Sequence, residues 1–170
     1  MKKIKIIFIV SFLMIFTLHA QKLNKKIIDI KTDKEILIGK CNLKGLKADT
    51  FGLVFKEEYK NYLPDSSKIN ILQSKMKSIT IEIVMGTWCG DSKEQVPRFI
   101  KVLDAINYKT KKINFLCLDH FFKADDFEKE KNNIQKVPTF IIYRKQKEIG
   151  RIVETPTKSL EEDLLDIVCR

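Results

Sequence analysis

The rhythm of apolar positions sharpens at Ser78. Ile79–Met85 reads Ile-Thr-Ile-Glu-Ile-Val-Met, a β-branched run fit for a buried strand. After Gly86-Thr87-Trp88-Cys89 the spacing turns helical, with Val96, Phe99, Ile100 and Leu103 on one face of a helix that reaches about Asn107. Residues 113–118 predict a second strand, and a strand, helix and strand of this length make a right-handed parallel unit. A charged helix is expected over 125–132, and Val137-Pro138-Thr139 then opens a strand over 140–143. Past a turn at Lys145-Gln146-Lys147, residues 148–153 read as its antiparallel partner. Ser159-Leu160-Glu161-Glu162 has the form of a capping box and starts a last helix. The expected sheet has residues 79–85 at its centre, parallel to 113–118 and antiparallel to 140–143.

Upstream the pattern is weaker. Residues 21–77 read as an extension with short strand signals at Ile27-Ile28-Asp29-Ile30 and Ile36-Leu37-Ile38. A helix through Phe51, Val54, Phe55, Tyr59 and Tyr62 should end before Pro64-Asp65-Ser66-Ser67. Its aromatic face is expected to pack on the domain formed by residues 78–170. Residues 1–20 combine Lys2, Lys3 and Lys5 with an apolar stretch from Ile6 to Leu18 and a small residue at Ala20, the form of a signal peptide. That stretch of 13 residues is short of the roughly 20 that a spanning helix needs. The expectation is export to the periplasm or the outside, with no stable membrane span after cleavage.

Charge and cysteines narrow the function. The net charge of +10 comes from lysines spread along the whole chain, without the basic, aromatic-interleaved face of a nucleic-acid binder. Cys41, Cys89, Cys117 and Cys169 contain no Cys-x-x-Cys pair and His120 is the one histidine after the leader, so neither a metal nor another cofactor is expected. Cys89 follows a buried strand and begins a helix, where free backbone N–H groups favour a thiolate.

The Trp88-Cys89-Gly90-Asp91-Ser92 motif, Val137-Pro138-Thr139 some 49 residues on, and the element order together resemble the thioredoxin family over residues 78–170. The resemblance implies an α/β thioredoxin fold, a central mixed sheet flanked by helices, here with an N-terminal extension. It implies Cys89 as the attacking sulfur, with Ser92 hydrogen-bonding it. Pro138 would be a cis-proline facing that sulfur, and Trp88, Gly90, Asp91, Val137 and Pro138 would form the substrate-docking surface. Three positions depart from dithiol members. Ser92 stands where a resolving cysteine would be, Asp91 occupies a place often held by proline, and Ile83 replaces a buried acid. The reading is a monothiol oxidoreductase that reduces or isomerises exported protein disulfides, with an external thiol completing the cycle. A peptide-binding module without turnover is the alternative. The Pro-x-x-x-Thr-x-x-Cys arrangement of peroxiredoxins is absent, with Glu82 and Gly86 at its proline and threonine positions, which disfavours a peroxidase. Cys117 is either core filler or a distant resolver, His120 a solvated loop residue or a base, and Cys41 and Cys169 a candidate disulfide.

Overall fold

A computed structural model describes residues 22–124 and 133–170; the expected signal peptide and the charged helix at 125–132 lie outside the described residues. The strands are β1 (Lys25–Ile28), β2 (Glu35–Cys41), β3 (Ile79–Met85), β4 (Ile113–Cys117), β5 (Thr139–Arg144) and β6 (Lys147–Val153). The helices are α1 (Leu43–Leu46), α2 (Asp49–Asn61), α3 (Ser66–Lys75), α4 (Gly90–Ala105) and α5 (Leu160–Val168). The strands form one sheet in the order β1-β2-β4-β3-β5-β6. Strand β3 runs parallel to β4 and antiparallel to β5, with Ile83 opposite both Phe115 and Phe140.

One face of β3 is buried along its whole length, while on the other Thr80 is exposed, Glu82 half-buried and Val84 buried, which explains the apolar–polar alternation at the start of the strand. Ile79, Ile81, Ile83 and Met85 point into a large core shared with Phe115, Cys117, Phe140, and Phe99 and Leu103 of α4. Val84 points the other way, into a smaller cluster with Leu118, Ile134, Val137 and Ile141. The sheet therefore divides the molecule into two apolar compartments.

The upstream segment continues the sheet. Strand β2 pairs with β4, placing Gly39 opposite Cys117 and Cys41 opposite Phe115, and β1 folds back on β2. Helix α2 buries Phe51 and Phe55 in the large core. It is tied to α4 by a Tyr59 hydroxyl that donates to Asp104 (2.8 Å) and by Arg98, which donates to Glu58 (2.8 Å). The sequence reading treated Pro64-Asp65-Ser66-Ser67 only as a stop. Asp65 instead caps α3, its carboxylate accepting from the Ser67 N–H at 2.9 Å. This helix lacked a periodic signal because Leu72 is its one buried residue. Glu161, 1% exposed at the start of α5, accepts from the Tyr62 hydroxyl and the Asp65 N–H, joining the last helix to the α2–α3 junction. Between β5 and β6, Lys145 and Gln146 both adopt positive φ, the conformation that a two-residue hairpin needs.

Candidate active site

Cys89 is the N-cap of α4, a half-buried residue at the carboxyl end of β3. Its N–H donates to the Gly86 carbonyl (3.0 Å) and its own carbonyl accepts from Lys93 (3.1 Å), so the turn into the helix is closed on both sides. The thiol donates to the Val137 carbonyl at 3.2 Å. The Val137–Pro138 peptide bond is cis. Two bonds pin that loop: the Glu154 N–H donates to the Pro138 carbonyl (2.7 Å), and the Thr139 hydroxyl donates to the Lys136 carbonyl (2.7 Å). Val137 is 4% exposed, so the side chain is anchored in the smaller core while the backbone faces the sulfur.

Ser92 does not take the part expected of it. It is completely buried, and its Oγ accepts from the Gly86 N–H at 3.3 Å, with no hydrogen bond to the Cys89 sulfur among the described residues. The first turn of α4 carries the Ser92 side chain inward, beneath the strand-to-helix turn, where it serves an otherwise unpaired buried N–H. The turn also requires glycine at position 86. A Cβ on it would lie 2.6 Å from the Trp88 indole. Gly90 is exposed beside the sulfur and Asp91 half-buried; the Asp91 charge adds to the pull of Glu154 that holds the Lys136 ammonium above its ordinary pKa.

Trp88 is held on several sides. Its Nε1–H donates to the Leu118 carbonyl (2.8 Å), Phe122 meets it edge-on at 6.3 Å, and His120 stacks on it with ring centroids 3.9 Å apart and planes 22° from parallel. The expectation of a solvated loop histidine is corrected. The His120 side chain is 15% exposed, and its Nδ1 lies 2.8 Å from Oδ1 of Asp29, a carboxylate only 2% exposed. Burial alone would raise the Asp29 carboxyl, but hydrogen bonds from Thr32 and His120, with the attraction of His120, hold it below the ordinary value. Thr87 adds a link to the upstream strand, its hydroxyl accepting from the Leu37 N–H at 3.1 Å. Sequence reasoning missed Asp29, Thr32 and Thr87, because Asp29 is 91 positions from His120 and no local pattern marks it.

The other cysteines stand apart. Cys117 sits in the large core and Cys89 packs against the smaller one, so the sheet separates the two sulfurs. The adjacent Cys41 thiol and complete burial push the Cys117 thiol well above its ordinary pKa, which makes it a poor attacking group. Cys117 is thus core filler rather than a resolver. Cys41 lies against Cys117 rather than Cys169; all four cysteines are free, with Cys169 exposed beyond α5, so the candidate disulfide is not present. Among the described residues no cluster of three or more His, Cys, Asp or Glu side chains is arranged to hold a metal ion.

The fold that carries this site is similar to that of solved structures. A Pseudomonas aeruginosa protein of unknown function superimposes with a TM-score of 0.56 at 15% identity, over 78% of this chain and 91% of its own. An HIV epitope-scaffold protein gives 0.55 at 16% identity, over 78% and 92%. Mitochondrial thioredoxin 3 of Saccharomyces cerevisiae gives 0.39 at 23% identity, over 64% and 98%. The first two speak for the fold alone. No curated protein matches the sequence. The sequence model of the family described as Thioredoxin matches residues 57–166, from within α2 to within α5, and so takes in β3, Cys89 and Pro138. With the fold and this match in agreement, the chain belongs to the thioredoxin family.

Proposed function

We propose that the protein performs monothiol thiol–disulfide exchange through Cys89 on disulfides of exported proteins. The observation that carries this reading is the 3.2 Å contact of the Cys89 thiol with the Val137 carbonyl, which sets a half-buried sulfur against the backbone of the cis-proline loop. The Cys89 thiolate attacks one sulfur of a substrate disulfide; a bond forms to that sulfur, the substrate S–S bond breaks, and the leaving thiolate takes up a proton. Release follows in one of two ways. Another substrate thiolate attacks the bound sulfur, freeing Cys89 with a rearranged disulfide and no net redox change, or an external thiol attacks it and leaves a substrate–thiol mixed disulfide. Ser92 supports the turn that carries Cys89, and Trp88, Gly90, Asp91, Val137 and Pro138 form the docking surface around the sulfur. The lysine-led apolar segment at the N-terminus supports export to the periplasm or outside, where protein disulfides are found.

The test is reaction of the protein lacking residues 1–20 with a small dye disulfide and with a disulfide-bonded peptide, followed by mass spectrometry. In a Cys169→Ser background, which removes the other exposed thiol, the expected product is a one-to-one adduct on Cys89 that an added thiol releases, absent when Cys89→Ser is added. Absence of an adduct on Cys89 with either reagent would refute exchange and leave peptide binding without turnover. Cell fractionation checks export separately.

A further inference from the structure

We propose that Asp29 and His120 are positioning residues through which the β1–β2 hairpin fixes Trp88 in the docking surface, making that hairpin part of the substrate-recognition site. The inference rests on the exchange reading for the meaning of docking, and on geometry alone for the positioning. The hairpin lies before the stretch matched by the family model, yet it reaches the site through a buried carboxylate. Asp29 accepts from the Thr32 N–H (2.9 Å) and hydroxyl (2.6 Å), which fixes the carboxylate within the hairpin turn. Its second oxygen meets His120 Nδ1 at 2.8 Å. That bond holds the imidazole flat on the indole, while Leu118 holds the indole Nε1.

The loop bearing His120 is itself a closed turn, the Asp119 carboxylate accepting from the Phe121 and Lys123 N–H groups at 2.8 Å each. Asp29 therefore joins two rigid pieces across one shared ring. The same hairpin forms one wall of a cleft of about 480 Å³, where Thr32, Glu35 and Leu37 face Thr87, Trp88 and Lys93. Trp88, the residue before Cys89, lines this cleft, so a disulfide-bearing peptide that extends from Cys89 into it meets the hairpin and the indole together. A small disulfide needs neither.

Trp88 is the only tryptophan, so its fluorescence reports on this assembly without further labelling. The protein lacking residues 1–20 is compared with His120→Ala, Asp29→Ala, the double variant, and Asp29→Asn, which retains acceptors for Thr32 but loses the charge. Each variant is first shown folded by circular dichroism. Loss of the stack should raise acrylamide quenching of Trp88 about two-fold and KM for a disulfide-bonded peptide about five-fold, with kcat and the small-dye rate held within about two-fold. Asp29→Ala should reproduce the His120→Ala changes, and the double variant should add little, because the two residues act as one unit. His120→Phe, which restores a stacked ring without the bond to Asp29, should recover part of the quenching protection.

Unchanged quenching in folded His120→Ala would overturn the proposal. So would Asp29 variants that lower thermal stability but leave quenching and KM at natural values, since Asp29 would then serve the hairpin alone. If Cys89 reacts with the dye in neither the natural protein nor any variant, the exchange reading falls while the quenching comparison still judges the positioning.

Discussion

Replacing Ser92 by cysteine tests the monothiol character of the site. Ser92 lies three residues beyond Cys89, and helix geometry puts Cα atoms at that separation about 5 Å apart, inside the roughly 4.4–6.8 Å that a disulfide spans. The side chain is fully buried and its Oγ accepts from Gly86. Sulfur is a weaker acceptor, so the substitution should cost about 1 kcal/mol of stability. In return, an adduct on Cys89 acquires an intramolecular attacker. Even an effective concentration of about 1 M, far below the highest known for oriented groups, exceeds 1 mM external thiol by about a thousand-fold. The adduct lifetime should then fall by at least about 100-fold, with an intramolecular disulfide as product. The assay is loss of the Cys89 adduct with time by mass spectrometry, in the natural protein and in Ser92→Cys, at a fixed external thiol concentration. Equal lifetimes would refute the reasoning. Rapid spontaneous release from the natural protein would refute it as well, because Cys41 and Cys117 are buried across the sheet, and Cys169 follows Val168, whose carbonyl accepts from Arg144 opposite Ile79 at the far end of β3.

Two further outcomes concern the upstream segment. Phe55 is 2% exposed in the large core, so Phe55→Ala should cost about 3–5 kcal/mol in denaturant unfolding; a loss below about 1 kcal/mol would mean that α2 is a detachable appendage. The Asp29 carboxyl is held below its ordinary 3.8, so its stabilisation is complete above that pH and is lost as the pH falls through the folded value. Acid unfolding followed by Trp88 fluorescence should have a shallower low-pH limb in Asp29→Asn, and identical limbs would remove Asp29 from the acid response.

The central strand β3 was legible because one of its faces is buried throughout, and Ile79, Ile81, Ile83 and Met85 record that face at every second position. Cys89 was legible for a local reason: strand, glycine, tryptophan, cysteine and helix follow one another within a dozen residues, and Pro138 opens the next strand. Helix α3 was not, since a helix that buries only Leu72 leaves no stripe to read. Tertiary structure alone decided which polar groups meet. Ser92 turns to Gly86 because the first turn of α4 points inward, and Cys117 lies beside Cys41 because β2 pairs with β4 in that register. Asp29 reaches His120 because the sheet order brings the first hairpin to the end of β4. A hydrophobic pattern records which face of an element is buried. It carries no term for the partner of a buried carboxylate or thiol, which is set by strand order and register across many tens of residues.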